Sequence, residues 1–164
     1  MRGTFALCAL LLLVGCDHGT KLLAKTTLEP GARRLRLIPG VLDLRYTENH
    51  DTAFSLLRHL NLSLSAGALV ATSTACLGFL VALWWSRRRG PRSEHVAYAL
   101  LVGGALGNII DRLVRGYVVD FIHLRHWPVF NVADIAIVFG AALLLVARLR
   151  YHAPGSAPDS PRAA

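Results

Sequence analysis

Four long apolar stretches, separated by shorter polar segments, dominate the pattern of this chain. They are predicted to form helices over residues 4–24, 60–85, 95–113 and 132–149. Each approaches the roughly 20 residues that an α-helix needs to cross a bilayer core of about 30 Å. The second has no charged residue, whereas each of the other three contains charged residues near an end. The pattern predicts an all-α membrane protein with four transmembrane helices.

The segment between the first two predicted helices has a different pattern. Apolar and polar residues alternate from Leu35 to Tyr46, on both sides of Pro39 and Gly40. This alternation predicts a hairpin or small extracytoplasmic β-sheet at the membrane surface. At the other end, residues 153–164 are rich in Pro, Gly, Ser and Ala and are predicted to form a disordered tail. Residues 1–152 are therefore expected to form one membrane domain.

Basic residues set the expected orientation. The short segment 86–93 carries four arginines and is expected to be cytoplasmic. Four spans then place both termini in the cytoplasm, with Arg2 at one end and Arg148 and Arg150 at the other. The outer segment 25–59 conflicts with this rule because it carries five arginines: Arg33, Arg34, Arg36, Arg45 and Arg58.

The amino-acid composition supports a membrane protein and argues against a nucleic-acid partner. Hydrophobic residues make up 54% of the chain and charged residues 17%, against about 25% charged in soluble domains. The net charge of +8 is clustered beside apolar stretches rather than spread along an amphipathic face with aromatic residues, so nucleic-acid binding is not expected. The cysteines, Cys8, Cys16 and Cys76, lack the spacing of a disulfide framework or a metal site.

Polar residues are predicted to meet at one membrane level. An ionisable side chain inside a bilayer costs at least about 2.5 kcal/mol, so it needs a partner, water or a function. On the four-helix topology the outer ends carry Asp17, Lys21, Asp111, Arg112, Asp120, Asn131 and Asp134. Two nearby carboxylates suit hydrolysis, because one can hold a proton while the other accepts one. The sequence has no HExxH metal motif.

Several of these residues lie in motifs that resemble a known family. Residues 103–113 (GGALGNIIDRL), 116–122 (GYVVDFI) and 130–134 (FNVAD) are similar to the signatures of the lipoprotein (type II) signal peptidases. Residues 17–21 (DHGTK) and 49–55 (NHDTAFS) resemble two further elements of that family. The resemblance extends from residue 5 to about residue 150, in the family's order and spacing.

The resemblance implies an aspartic endopeptidase of the bacterial cytoplasmic (inner) membrane. It implies that diacylglyceryl-modified prolipoproteins are cleaved just before the lipid-bearing cysteine, without a metal or other cofactor. The catalytic pair falls on Asp120 and Asp134, and the supporting or substrate-binding residues fall on Asn49, Asn108, Asp111, Arg112 and Asn131. The expected partners are the prolipoprotein substrate and membrane lipid, and a monomer is expected.

Two features depart from the family pattern. Asp51 stands where the family has glycine, which adds a carboxylate near the expected site. The segment between Asp120 and Asp134 is short, which would trim the outer loop and change substrate preference.

Some of these polar residues also have a structural interpretation. Asn131 followed by Asp134 resembles a helix capping box, and a carboxylate in the first helical turn is favoured by the helix dipole. We therefore expect Asp134 to be the ionised member of the pair and Asp120 the protonated one. Asp17 and Lys21, four residues apart on a helix, are expected to form a structural ion pair.

Two other classes of protein also fit features of this sequence. Leu13-Val14-Gly15-Cys16 resembles a lipobox, so the chain could be a membrane-anchored lipoprotein with a binding or structural role. A small channel or transporter would also carry charges in its helices. Three further spans with polar groups at one level favour the peptidase over the lipoprotein, and a channel gives no reason to place Asp120 and Asp134 beside amides.

Overall fold

Long apolar helices make up most of the protein. The computed structural model describes residues 2–30, 33–50 and 66–151. Within these ranges four helices are long and apolar enough to cross a membrane, which confirms the predicted fold class. They are α1 (Arg2–Leu28), α2 (Ala66–Ser86), α3 (Arg92–Arg115) and α4 (Val132–Tyr151).

The helix ends differ from the sequence-based boundaries. Helix α1 continues to Leu28 rather than ending near residue 24, and it passes through Cys16 without a break. Helix α3 begins at Arg92 rather than at residue 95. The predicted start of the second helix at Leu60, Asp51 and the predicted tail 153–164 all lie outside the described residues.

Helix α3 is the central element of the bundle. It packs against α1, α2 and α4, and 56% of its membrane-spanning stretch is buried inside the protein. Glycines allow this close packing: a Cβ on Gly104 would lie 2.5 Å from the carbonyl oxygen of Ala133, and one on Gly107 would lie 2.5 Å from Oδ2 of Asp17. Because they carry no side chain, these glycines let α1 and α4 lie close to α3.

A glycine ends α3 and directs the chain into the site. Gly116 has a φ of 81° and its N–H donates to the carbonyl of Arg112 at 3.0 Å. This left-handed residue is the usual way to end a helix, because glycine adopts positive φ without steric cost. The chain then continues into strand β3 (Val118–Leu124), so Asp111 and Asp120 lie on either side of the turn.

A three-stranded antiparallel sheet covers one end of the bundle. Strands β1 (Arg34–Ile38) and β2 (Leu42–Asn49) form the predicted hairpin, with Gly40 at a φ of 74° in its turn. The sheet order is β1-β2-β3. The third strand was not predicted, and it comes from the segment between α3 and α4. Its pairing of Asn49 with Val118 brings the end of β2 to the start of β3.

A short connection joins β3 to α4. Ile122 and Phe130 exchange backbone hydrogen bonds of 2.8 and 3.0 Å. The chain reverses between them through a turn in which His126 has a φ of 65°. The next residue after Phe130 is Asn131, which begins the approach to α4. The connection therefore returns the chain to the bundle beside the strand that carries Asp120.

Candidate active site

Asp120 is a buried carboxyl group on β3. Its residue is 2% exposed. The side-chain amide of Asn49 donates to Oδ2 at 2.8 Å, and the side-chain amide of Asn131 donates to Oδ1 at 2.7 Å. Both oxygens therefore accept a hydrogen bond from a neutral amide, and the two amides come from different parts of the chain.

The surroundings of Asp120 favour its protonated form. Burial, and then the negative charge of Asp134, raise the pKa of Asp120 to about 7 from an ordinary value of 3.8. The hydrogen bonds from Asn49 and Asn131 and the positive charge of Lys21 oppose this rise. Burial acts in this direction because a charged carboxylate loses more solvation than a neutral acid. Asp120 is thus suited to hold a proton near neutral pH.

Asp134 lies in the first turn of α4 and forms a reciprocal cap with Asn131. The backbone N–H of Asp134 donates to Oδ1 of Asn131 at 3.0 Å. In return, the backbone N–H of Asn131 donates to Oδ2 of Asp134 at 3.2 Å. The predicted capping box is confirmed, and Asp134 lies at a helix end where negative charge is favoured.

Asn131 contacts both carboxyl groups. Its side-chain N–H donates to Asp120, its backbone N–H donates to Asp134, and its residue is fully buried. One residue therefore fixes the position of Asp120 relative to Asp134. The cap that starts the helix also contacts the strand, so Asn131 links the positions of the two carboxyl groups.

Asn108 supports Asp134 from α3. Its side-chain amide N–H donates to Oδ1 of Asp134 at 2.9 Å. Its side-chain carbonyl oxygen, Oδ1, accepts hydrogen bonds from the side-chain amide of Asn131 at 3.1 Å and from Nζ of Lys21 at 3.0 Å. These three bonds fix the orientation of the amide, because the carbonyl faces donors and the N–H faces a carboxylate.

Lys21 is a buried cation with three partners. Its side chain is 0% exposed, and its Nζ lies 2.7 Å from Oδ2 of Asp17 and 3.0 Å from Oδ2 of Asp111. With the hydrogen bond to Asn108, these two ion pairs give the buried cation three partners. The predicted ion pair between Asp17 and Lys21 is confirmed, but its extension to α3 was not predicted.

The carboxylates around Lys21 also bind the backbone near the site. Oδ1 of Asp17 accepts from the backbone N–H of Ala133 at 2.9 Å, and Oδ2 of Asp111 accepts from the backbone N–H of Val119 at 3.2 Å. Arg115 forms a second ion pair with Asp111. The cluster of Asp17, Lys21, Asp111 and Arg115 is thus electrically balanced, and it ties α1 and α3 to the residues that precede Asp120 and Asp134.

Arg112 lies beside this cluster, and its Nη1 donates to the backbone carbonyl of Asn108 at 3.4 Å. All seven residues selected from the sequence therefore lie in one region of the structure or directly next to it. Sequence reasoning missed Arg115, although its position four residues after Asp111 on a helix is a signal for an ion pair.

The arrangement suits acid–base chemistry by two unequal carboxyl groups. Asp120 is buried in β3 with a raised pKa, and Asp134 lies in the first turn of α4, where the helix dipole favours a negative charge. Two neighbouring carboxyl groups in different surroundings can act as an acid and a base. Within the described ranges, His, Cys, Asp and Glu side chains form no group of three that could hold a metal ion.

Sequence comparison reveals close relatives over most of the chain. The model of the family described as signal peptidase (SPase) II matches residues 9–150. A lipoprotein signal peptidase from Solibacter usitatus is 36% identical over 143 residues, which cover 85% of this chain and 87% of that protein. A lipoprotein signal peptidase from Thermodesulfovibrio yellowstonii is 39% identical over 146 residues, covering 87% and 92%.

Solved structures agree with the sequence comparison. A bacterial membrane enzyme determined by the in meso method at 2.3 Å resolution matches with a TM-score of 0.81 and 26% identity, covering 96% of this chain and 94% of that one. A second, determined at 1.9 Å resolution, matches with a TM-score of 0.78 and 28% identity, covering 90% and 94%. The expected family is confirmed: this chain, with four membrane-spanning helices, belongs to the signal peptidase II family of aspartic peptidases.

Proposed function

We propose that this protein removes the signal peptide from diacylglyceryl-modified prolipoproteins by cleaving the bond before the lipid-bearing cysteine. Family membership supports signal-peptide removal as the activity. The observation that carries the chemical assignment is the bond network in which Asn131 contacts both Asp120 and Asp134 at one end of the membrane helices. We propose these two aspartates as the catalytic pair.

In the proposed reaction the ionised carboxylate of Asp134 takes a proton from water. The water oxygen attacks the scissile carbonyl carbon while the protonated Asp120 donates its proton to the carbonyl oxygen. Collapse of the tetrahedral intermediate breaks the C–N bond. The proton held by Asp134 passes to the leaving amine, and Asp120 recovers its proton from the intermediate hydroxyl. The pair thus returns to its starting protonation state after each cycle.

The remaining polar residues have positioning roles in this proposal. Asn49 and Asn131 hold Asp120 through its two oxygens, and Asn108 holds Asp134. Lys21 and Asp111 fix Asn108 and the start of β3. For Arg112, which lies one turn after Asn108, we propose contact with a lipid phosphate or a substrate carbonyl.

The proposed orientation places both termini in the cytoplasm and the sheet outside. Helix α3 of 24 residues is about 36 Å long. The arginines of segment 86–93 lie at one of its ends, and Asp111 lies near the other. The bacterial inner membrane is the setting for this multi-pass fold, and the rule that short basic loops stay inside supports the orientation. Because the pair and its supports come from one chain, a monomer is the proposed catalytic unit.

The lipoprotein alternative is not favoured. Leu13 to Cys16 lie within α1, and that helix continues through Asp17 and Lys21 into the buried cluster. Removal of residues before Cys16 would cut this helix in its middle.

The function is tested with two versions of one prolipoprotein, which differ only in the diacylglyceryl group on the cysteine. Purified protein in detergent is incubated with each, and the products are identified by mass spectrometry. We expect cleavage of the modified version only, with the lipid-bearing cysteine as the new first residue. Cleavage of both versions, cleavage at another bond, or no cleavage of the modified version would contradict the proposal.

A further inference from the structure

Two adjoining cavities lie between the end of α1 and the β-hairpin. The larger has a volume of about 700 Å³ and the smaller about 270 Å³. They share Leu28, Arg33 and Arg34 in their walls. No residue proposed for catalysis or for its support lines either cavity, so the pair of cavities is separate from the peptidase site.

The larger cavity is mostly apolar and lies beside the membrane-spanning part of α1. Leu23, Ala24 and Leu28 line it from the helix, and Leu44 and Phe121 line it from the sheet. Leu23 is 62% exposed at the protein surface, so the cavity adjoins the face that α1 presents to the bilayer. Its volume lies within the range of small-molecule sites in proteins. These properties suit an acyl chain.

The smaller cavity is cationic. Its walls include Arg33, Arg34 and Arg45 against one carboxylate, Glu29. Arg34 is already bound to Asp43. Arg33 and Arg45 form no ion pair with any residue that the structure describes, so their charges are available to a ligand.

Arg45 carries a donor that needs an acceptor. Its Nε is buried, and none of the described residues accepts a hydrogen bond from it. A buried donor without an acceptor is costly. Guanidinium groups suit phosphate because their N–H donors match its oxygens, so a phosphate group in the smaller cavity would satisfy this donor.

The two cavities lie at different depths relative to the membrane, in the same order as the acyl chains and the phosphate of a phospholipid. Leu28 is the last residue of α1 and of its membrane span. The apolar cavity extends from this level along the helix into the span, whereas the arginine cavity is formed by Leu28 and by residues that follow the span. This order also gives a reason for arginines in segment 25–59, which the charge rule for membrane orientation does not predict.

From this geometry we infer that the two cavities together bind one anionic glycerophospholipid of the surrounding membrane. Its phosphate contacts Arg33 and Arg45, and an acyl chain fills the apolar cavity against Leu23, Leu44 and Phe121. Because Phe121 directly follows Asp120 in β3, the bound lipid also supports the strand that carries the proposed acid.

The test uses the full-length protein in detergent and counts bound lipids by native mass spectrometry. The probes are dioleoylphosphatidylglycerol, which is anionic, and dioleoylphosphatidylcholine, which has the same acyl chains and no net charge. We expect one tightly bound phosphatidylglycerol and weaker phosphatidylcholine binding. Replacing Arg33 and Arg45 by Gln should weaken phosphatidylglycerol binding by at least about tenfold, since each arginine near a membrane surface favours anionic lipid about fivefold.

Matched variants separate this site from general charge and folding effects. Arg36→Gln with Arg125→Gln removes the same charge from a different cavity of about 290 Å³ and should leave binding unchanged. Thr27→Trp places a large ring in the apolar cavity and should weaken binding, whereas its exposed neighbour Thr26→Trp should not, because Thr26 does not line the cavity. If the double variant of Arg33 and Arg45 does not fold, the single variant Arg33→Gln, which replaces an exposed side chain, is used in its place.

Three outcomes would overturn the inference. The first is equal affinity for the two lipids. The second is equal weakening by the two double-arginine variants. The third is displacement of the lipid by inorganic phosphate with no effect of Thr27→Trp, which would identify a simple anion site. None of these readouts involves cleavage. Lipid binding can therefore be disproved while the peptidase function holds, and the peptidase function can be disproved while lipid binding holds.

Discussion

The side-chain amide of Asn131 donates a hydrogen bond of 2.7 Å to Oδ1 of Asp120. Asn131 is also the N-cap of α4, where its backbone N–H and side-chain oxygen form a reciprocal pair with Asp134. A residue that starts a helix thereby also sets the distance between a strand and that helix. Structural capping and positioning of the proposed catalytic pair are two consequences of the same side chain.

Substitutions of Asn131 should separate these two roles. Ser retains N-cap capacity but is too short to keep the bond to Asp120. We expect Asn131→Ser to lower kcat by about ten- to hundredfold, the value of one hydrogen bond to the carboxylate that forms when Asp120 gives up its proton, with little change in melting temperature. Asn131→Ala should lower kcat similarly and also cost about 1 kcal/mol of stability, because the cap is lost. Wild-type kcat in Asn131→Ala would contradict this role.

Lys21 should matter mainly for folding. Lys21→Met leaves Asp17 and Asp111 buried without their shared cation, and breaking a buried ion pair typically costs about 3–5 kcal/mol. The measurement is the free energy of unfolding in detergent. Lys25→Met is the matched control, because Lys25 lies one turn further along α1, is only half-buried, and donates to the hydroxyl of Tyr117. Equal stability of the two variants would show that the buried cluster contributes little.

Gly107 should not tolerate a methyl group. A Cβ there would lie 2.5 Å from Oδ2 of Asp17 and 3.3 Å from its Cγ, so α1 or the ion pair with Lys21 must move. We expect Gly107→Ala to cost about 1–3 kcal/mol, as overpacking does in other proteins. Gly15→Ala is the control, since a Cβ on Gly15 has no neighbour within 4 Å among the described residues. Thermal melting of both variants checks this, and an unchanged Gly107→Ala would refute the close packing.

The pH dependence of cleavage should show the proton on Asp120. The raised pKa of about 7 keeps Asp120 protonated below neutral pH and ionised above it. If Asp120 donates this proton in the reaction, kcat/KM falls above about pH 7, approaching a tenfold loss per pH unit. The measurement is kcat/KM as a function of pH at fixed ionic strength. The pH range extends about two units on either side of the pKa of Asp120. A rate that keeps rising to the alkaline limit would show that the acid is another group.

Local features of the fold followed from the sequence, and distant pairings did not. The capping box at Asn131 and Asp134 and the turn at Gly40 each depend on residues close together in the chain, so spacing alone predicted them. The pairing of β3 with β2 joins segments far apart, and the run Val118 to Leu124 has no regular alternation to identify it as a strand. Sheet pairing of this kind depends on how α3 ends at Gly116.

Only part of the candidate site could be predicted from the sequence, for a related reason. The level of the polar residues followed from the helix topology, and the choice of Asp120 and Asp134 came from family resemblance rather than from spacing. The bonds from Lys21 to Asn108 and Asp111 require a particular rotation of α1 against α3. Helix rotation is set by packing, here by the glycines of α3, and a sequence pattern does not specify it.

The proposed mechanism depends most on the two aspartates, and its most direct test is the rate of prolipoprotein cleavage by four proteins. These are the wild type, Asp120→Asn, Asp134→Asn and the control Asp43→Asn, whose carboxylate is bound to Arg34 in the sheet at 2.9 Å. We predict that both site variants remain folded and lose at least about a thousandfold in rate, while Asp43→Asn cleaves nearly as fast as the wild type. Near-full activity in a folded Asp120→Asn or Asp134→Asn protein would contradict the proposed pair.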